Sequence, residues 1–328
     1  MRAFIISELD NVFDASLRNV EERRTHDDDV LIRVEFSGVN FKDAMVASPK
    51  SRVRRVEQLV GGVDAAGVVV SSPDPRTPIG TRVAVHGGAL GVARDGGFAE
   101  FVYAPSKNIT PLPVTISTRD AMVIGTAGFT AMASVLALED YGLRAGGEVL
   151  VTGATGGVGS QSIVYLAARG YRPVASTGSL GETSWLLERG AERVVGRDEV
   201  SDLPTRVLGS ERWDGAIDCV GGATLVHILR SLRYGCAVAA SGLVGSAALE
   251  TTVYPFITRS VALLGIDAVE VGHETRERVW TALGHVAPDV NYDALVDRVT
   301  RLEGLGAALE DIRNAKTRGR ILVDPTPG

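Results

Sequence analysis

The chain has 328 residues, with 34 Lys and Arg against 40 Asp and Glu, a formal charge of −6; that balance excludes a general binder of nucleic acid or of anionic membranes. Hydrophobic residues make up 45% and charged residues 23%, which suits a well-buried core and excludes a disordered chain. Thirty-eight residues are glycine, above the usual share of about 7%; they follow no Gly-X-Y period and stand between apolar runs, which excludes collagen and flexible linkers.

Length alone suggests two domains. The N-terminal run Met1–Ser7 meets Glu8 and Asp10 too soon for a signal-peptide core. No run approaches the roughly 18–20 apolar residues of a membrane span. The expected setting is therefore soluble, reducing and cytoplasmic. The first third reads as β-rich. Strands are expected at Val30–Phe36, Val63–Ser71, Arg82–His86 and Gly97–Tyr103, separated by turn clusters at Ser71–Pro75 and Asp95–Gly97. Such short strands at close spacing suggest a small barrel or sandwich. From Thr118 the pattern changes. Ala121–Leu138 carries apolar and small residues at helical spacing. An alternation follows: strand Glu148–Thr152, helix Val158–Arg169, strand Pro173–Ser176, helix Glu182–Arg189, strand Arg193–Val195. Strands Ala216–Val220 and Ala237–Ser241 flank helix Thr224–Leu232, and Val261–Ile266 reads as a buried strand. This alternation argues for an α/β doubly wound parallel sheet. Helix Arg276–Val286 and a final strand Gly319–Val323 return the tail to the first domain.

The sharpest motif is the run Val149–Gly159, where a strand enters glycines that open a helix. Glycines there permit the tight turn and let backbone N–H groups approach a pyrophosphate at the helix N-terminus. Against Gly-x-Gly-x-x-Gly the chain reads Ala154-x-Gly156-x-x-Gly159, with Gly153 one position earlier. Thr155, Gly156, Gly157, Val158 and Gly159 are the expected pyrophosphate contacts. An NAD site wants an acid about 20 residues on, bonding the ribose 2′-OH. This window instead holds Ser176, Thr177, Gly178 and Ser179, with no acid before Glu182. Hydroxyls tolerate a 2′-phosphate, and Arg197, after the third strand, supplies positive charge. The missing acid points to NADPH.

Other chemistries lack their residues. The two cysteines, Cys219 and Cys236, fall in apolar strands of the nucleotide domain and exclude a disulfide framework or four-cysteine zinc site. The histidines His26, His86, His227, His273 and His285 are scattered, so no zinc ligand set gathers in sequence. No His-Glu-x-x-His, Gly-x-Ser-x-Gly or P-loop motif occurs. The chemistry is expected to come mostly from the cofactor.

Several blocks carry a family resemblance: Asn40–Ala44, Asp64–Gly67, Asp95–Glu100, Ile124–Met132, Val151–Gly159, Thr251–Ile257 and Gly265–Asp267. They span nearly the whole chain in order. With them the chain resembles the zinc-free branch of the medium-chain dehydrogenase/reductase superfamily, and within it the YhdH-type quinone oxidoreductases and acryloyl-CoA reductases. The resemblance implies a GroES-like β-rich catalytic domain over 1–120 and 264–328 and a Rossmann domain over 121–263. It implies a homodimer built through the nucleotide domain's edge strand. It also implies hydride transfer from NADPH to the β-carbon of an activated C=C bond, without zinc. Zinc-bearing relatives have a cysteine near Asn40 and Gly-His-Glu near Gly62; this chain reads Gly62-Val63-Asp64.

Four departures from the family stand out. Phe41 replaces a tyrosine. Thr177–Ser179 lacks the usual arginine, Gly61 replaces a proline, and the tryptophan common near Gly88 is absent. Within the implied site, Asn40, Lys42, Asp43 and Asp64 are the candidate catalytic residues, and Asn40 with Asp43 also reads as a helix capping box. Phe41, Thr126 and Thr130 are expected beside the cofactor, with Gly125 and Gly128 thinning their helix for its approach. Gly242, Leu243 and Ile266 are expected at the nicotinamide. Lys50, Arg52, Arg54 and Arg55 form a basic cluster that suits the phosphates of a CoA thioester, and the three arginines are the candidate substrate contacts. An NADPH quinone or enone reductase and a non-catalytic NADPH-binding redox sensor are the alternatives.

Overall fold

Two strands that the sequence pattern did not single out open the chain. Arg2–Leu9 (β1) and Val12–Asn19 (β2) form an antiparallel hairpin. Its two turn residues, Asp10 and Asn11, sit at φ 51° and 64°, the left-handed region that Asp and Asn tolerate and that two-residue hairpins require. Asp29–Val39 (β3) follows, then the short helix Phe41–Val46 (α1). Next come Gln58–Val60 (β4), Asp64–Ser71 (β5), Arg82–His86 (β6), Phe101–Pro105 (β7) and Ile109–Pro111 (β8). The expected strand at Gly97 begins later, at Phe101. Before it, Gly97 and Phe98 donate their backbone N–H groups to the carbonyls of Gly62 and Gly61.

The helix Thr118–Tyr141 (α2) is interrupted at Gly125, where φ is 48° and ψ −160°. It is long and apolar enough to cross a membrane, yet 83% of its most apolar window is buried inside the protein, as befits a core helix. The alternating region then runs Glu148–Thr152 (β9), Gly157–Ala168 (α3), Arg172–Thr177 (β10), Thr183–Leu187 (α4) and Arg193–Gly196 (β11). It continues as Gly215–Asp218 (β12), Gly222–Ser231 (α5), Ala237–Ala240 (β13), Tyr254–Arg259 (α6) and Ala262–Gly265 (β14). The chain closes with His273–Val286 (α7), Val296–Arg301 (β15), Leu305–Arg313 (α8) and Arg320–Asp324 (β16).

The computed structural model describes residues 1–21, 27–202 and 207–327; His26 lies outside them. Two units emerge. One holds Met1–Thr126, Ala268–Ala287 and Asn291–Gly328; the other holds Ala127–Asp267 and Pro288–Val290. The expected boundary at 120/121 would cut the first turn of α2. The observed one falls just past the Gly125 break, because Arg320 and Asp64 tie residues 122–126 to the first unit.

In the first unit, β3 pairs with β5, β7 and β16 in a mixed sheet ordered β15-β16-β3-β5-β6-β8, while β1 lies between β2 and β4. Alternation explains the inside: Val30, Ile32 and Val34 of β3 meet Val69, Val83, Val85 and Val102. Gly67 is glycine because a Cβ there would lie 1.9 Å from the Arg33 carbonyl oxygen. Gly61 stands where the family resemblance expects proline, and its N–H donates to the Phe4 carbonyl at 3.0 Å, a bond no proline can make.

In the second unit all six strands are parallel, ordered β11-β10-β9-β12-β13-β14. That is the doubly wound order with β9 as its first strand. Leu150, Val174, Ala216 and Val238 bury one face against α5. Three expectations change here. The helix at Glu182–Arg189 is a single 3-10 turn, Leu180–Glu182, followed by the short α4. β14 is an edge strand, with Leu263 37% exposed, not a buried one. Cys219 and Cys236 lie just outside β12 and β13 and are half-buried.

Candidate active site and cofactor cradle

The second unit carries a cradle made of backbone. At the end of β9, Gly153 turns at φ 60°, and Gly156 is the N-cap of α3. A Cβ on Gly159 would lie 2.3 Å from the Gly153 carbonyl oxygen, so only glycine lets the helix sit this close to the strand. Ala154 is fully buried and its N–H bonds the Ser176 carbonyl; alanine therefore replaces the first motif glycine without blocking the turn. Thr155, Gly157 and Val158 are half-exposed around it. At the tip of β10, the Thr177 hydroxyl accepts the Ser179 N–H at 2.9 Å. Arg197 donates its backbone N–H to the Thr177 carbonyl. Its exposed guanidinium lies across Gly178, where a Cβ would be 2.5 Å from Nη2. A cation thus stands at the exposed Gly178–Ser179 segment, whereas Ser176 and Thr177 are buried at the strand end; the acid that would repel a 2′-phosphate is absent. These groups fit a phosphorylated dinucleotide.

Beyond β13, Ala240, Ser241, Gly242, Leu243, Gly265, Ile266 and Asp267 line an open cleft of about 510 Å³. Gly242 passes so close to Cys219 that a Cβ would lie 2.1 Å from its carbonyl oxygen. Burial of the sulfur and the neighbouring Asp218 carboxylate push the Cys219 thiol up to about 12. Asp218 is itself fully buried, accepting from the Thr152 hydroxyl at 2.6 Å and the Gly221 N–H at 2.8 Å. Thr130 is buried, and its carbonyl accepts from Ser134. Gly128 does not open α2 toward a ligand. A Cβ there would lie 2.2 Å from Gln161 Oε1 of α3, so this glycine serves helix packing.

The first unit gathers Asn40, Asp43, Asp64 and Thr126 around one arginine that sequence reasoning missed, Arg320. Asn40 is the N-cap of α1, and Asp43 accepts its backbone N–H at 2.7 Å and the Val63 N–H at 2.9 Å. The Asn40 carboxamide turns inward. Nδ2 donates to Asp64 Oδ2 at 2.8 Å and Oδ1 accepts from Arg320 at 3.0 Å. Asp64 is 0% exposed. It also accepts the Thr126 N–H at 2.9 Å and the Thr126 hydroxyl at 2.5 Å. Gly125 likewise makes room for this cluster, not for a cofactor: a Cβ would lie 2.4 Å from Asp64 Oδ2. Burial, reinforced by Asp64, pushes the Asp43 carboxyl up to about 7, against the pull of its backbone donors. Phe41 is 44% exposed and Lys42 half-buried.

The basic cluster divides. Arg54 turns inward, pairing with Glu8 and donating to the Val46 and Ser48 carbonyls; its side chain is 5% exposed. It is structural and unavailable to a substrate. Lys50 is anchored through its backbone N–H to the same Glu8. Arg52 and Arg55 point to solvent, on a loop fixed by Ser51 and by the Arg55 N–H to the Val92 carbonyl. Among the described residues, no three Asp, Glu, His or Cys side chains gather to hold a metal. His86 is buried beside Arg276, and burial pushes its imidazole down to about 3.

Comparison with known proteins adds the lineage. The alcohol dehydrogenase GroES-like domain family matches residues 26–114, and the zinc-binding dehydrogenase family matches residues 157–284. The chain is 44% identical to a putative quinone oxidoreductase YhfP of Bacillus subtilis, over 90% of each protein. It is 42% identical to the acrylyl-CoA reductase AcuI of Ruegeria pomeroyi, again over 90% of each. The crystal structure of the YhdH oxidoreductase of Salmonella enterica in complex with NADP superposes at a TM-score of 0.94 and 39% identity, covering 99% of this chain and 100% of that one. YhfP with NAD bound superposes at 0.95 and 40% identity, covering 99% of both.

The buried Asp43 carboxyl makes stability depend on pH in an unusual direction. Folded, it keeps its proton to about 7; its ordinary value is 3.8. Between those values the folded state binds more protons than the unfolded one, so this group's contribution falls as pH rises through the window. Denaturant melts of the wild type and Asp43→Asn between pH 4 and 8 should show the wild type losing ground to the variant up to about 7, then a constant difference. A difference independent of pH would disprove the assignment.

Proposed function

Because the chain belongs to the YhdH-type branch of the medium-chain dehydrogenase/reductase family and is an NADPH-dependent oxidoreductase, we propose that it reduces the activated C=C bond of an α,β-unsaturated acyl-CoA of the acryloyl type. The observation that carries the substrate class is the pair Arg52 and Arg55, two exposed guanidinium groups on a fixed loop, suited to CoA phosphates. Two relatives named acrylyl-CoA reductase support it.

When bound, NADPH supplies a hydride to the alkene's β-carbon. The chain's residues do the rest. The Gly153–Gly159 turn and the α3 N-terminus would hold the pyrophosphate. Arg197 and Ser179, exposed at the tip of β10, would hold the 2′-phosphate, with Ser176 and Thr177 buried behind them. Gly242, Leu243 and Ile266, which line the open cleft, would flank the nicotinamide. Charge then grows on the thioester oxygen, and the α-carbon takes a proton. Lys42 delivers it: with Phe41 in place of the family phenol, Lys42 is the α1 side chain with an exchangeable proton that is not fully buried. Asn40, Asp43 and Asp64 act by positioning. The exposed aromatic Phe41 favours a second reading, a quinone or enone reductase, the activity in the name of YhfP.

NADPH oxidation with acryloyl-CoA, crotonyl-CoA, quinones and enones tests the substrate class. The enoyl-CoA substrates should give the highest kcat/KM, and Arg52→Ala with Arg55→Ala should raise KM for them by about tenfold and leave small enones untouched. Lys42→Met should lower kcat by about tenfold. Equal loss on all substrates would remove the CoA reading; NADPH binding without turnover of any substrate would assign a redox sensor instead.

Cofactor choice is read separately. Arg197→Ala should weaken NADPH binding by about 10- to 100-fold and leave NADH nearly unchanged. An equal effect on both cofactors would move the 2′-phosphate site elsewhere.

We also propose a homodimer through the free edge of β14, where Leu263 is 37% exposed; Tyr254 and Ile257 of the preceding α6 are exposed as well. Light scattering should give twice the 34.6 kDa chain mass, and Leu263→Lys should shift it toward the monomer. A wild type that runs as a monomer would refute the pairing.

A further inference from the structure

A helix interrupted in its middle exposes two sets of backbone groups at once. The segment before the break loses partners for its last carbonyls, and the segment after it loses acceptors for its first N–H groups. In α2 the break at Gly125 is met on both sides by side chains from elsewhere. Arg320, at the start of β16, donates Nε to the Val123 carbonyl at 3.0 Å and Nη2 to the Met122 carbonyl at 3.5 Å. Asp64, at the start of β5, takes the Thr126 N–H at 2.9 Å. A cation therefore stands at the C-terminal end of one segment and an anion at the N-terminal end of the next, the signs the two helix dipoles favour. The two side chains face each other, with Arg320 Nη2 3.6 Å from Asp64 Oδ2.

The same guanidinium fixes Asn40. Nη1 donates to the Asn40 side-chain oxygen at 3.0 Å and to the Val39 carbonyl at 3.1 Å. That leaves the carboxamide nitrogen facing Asp64. Both flanking glycines are emptied for the arginine: a Cβ on Gly38 or on Gly125 would lie 2.8 Å from Nη2. Arg320 is 2% exposed, so its position admits little variation. One consequence is chemical. The Thr126 hydroxyl hydrogen goes to Asp64 Oδ1, so toward any ligand this hydroxyl offers lone pairs only.

We infer that Arg320 is a positioning residue for the reductase reaction: it orients Asn40 directly and Thr126 through Asp64, and turnover depends on that orientation. The kinetic half rests on the proposed reductase activity; the structural half does not. Asp64 accepts all three donors at once, within the capacity of a carboxylate, but it touches only the nitrogen end of the Asn40 carboxamide. Arg320 fixes the other end by donating to its oxygen, and so decides which way the carboxamide faces.

The test uses Arg320→Met and Arg320→Lys in the full chain. Hydrogen exchange at the Thr126 amide reads the capped break with no substrate present. It should speed up by about tenfold or more in Arg320→Met and less in Arg320→Lys, whose single ammonium cannot reach all four acceptors. Kinetics read the consequence. kcat should fall by about 10- to 100-fold in Arg320→Met with the NADPH Kd changed by no more than about twofold, and Arg320→Lys should recover part of kcat. A purely structural role predicts a lowered Tm with kcat per folded molecule intact, and that result overturns the inference. So does slow Thr126 exchange in either variant. Should Arg320→Met fail to fold, Arg320→Lys decides by the same two readouts. A wild type inactive on every substrate would refute the reductase reading, while the exchange measurement would still decide the orientation of Thr126.

Discussion

A carboxylate taken wholly out of water must be met by donors, and the first unit is arranged around that requirement at Asp64. Its two oxygens receive a backbone N–H, a hydroxyl and a carboxamide, with Arg320 behind them. Removing one partner of a buried pair of this kind costs about 3–5 kcal/mol, a large fraction of a domain's net stability. The strands that bring the partners together are therefore not free to slip. β5 delivers Asp64, β16 delivers Arg320, the end of β3 delivers Asn40, and α2 must break where it does. Gly38 and Gly125 follow from the same demand, since any side chain there would enter the space of the guanidinium or the carboxylate.

The second unit solves a different problem with the same residue type. A pyrophosphate is bound best by backbone N–H groups at a helix start, and only close strand-to-helix contact exposes them. Gly153, Gly156 and Gly159 provide it. Charge enters at one position, Arg197, laid across Gly178. Beyond packing roles such as those of Gly67 and Gly128, glycine thus brings backbone toward a ligand in one unit and makes room for buried charge in the other.

The sequence carried the parallel sheet plainly, because strands buried on both faces leave long apolar runs and their helices fill the gaps between them. It carried the cradle because glycine spacing is a local property. It carried the capping box at Asn40 and Asp43 for the same reason. The opening hairpin left a local signal as well, the Asp10–Asn11 pair between alternating residues, but the run before it is short and apolar and reads equally as a buried segment. What no local pattern carries is the destination of a side chain. Gly125 and Gly128 read as a thinned face awaiting a ligand; one faces Asp64 and the other Gln161. Arg54 reads as one of four like charges, yet Glu8, 46 residues earlier, draws it inward. Arg320 is a single arginine in a final apolar strand, and its partners lie about 200 to 280 residues away in the chain.

These destinations bear on where specificity resides. Many of the surface arginines, such as Arg18, Arg76 and Arg172, are paired with nearby carboxylates, and pairs of that exposed kind contribute little beyond solubility. Arg54 and Arg320 are buried and build the scaffold. Arg197 in the second unit, and Arg52 with Arg55 in the first, are cations turned toward solvent beside ordered backbone, in a chain whose net charge is −6. Against that negative background a short-range cluster of positive charge attracts phosphate only where it is held in place, and the loop from Ser51 to Arg55 is held by its own backbone hydrogen bonds. Phe41, where the family resemblance expects a tyrosine, offers no hydroxyl, and these charges stand on a separate segment. In the proposed reaction, recognition of phosphate and delivery of the proton therefore rest on different residues, which is why the two properties are best measured apart.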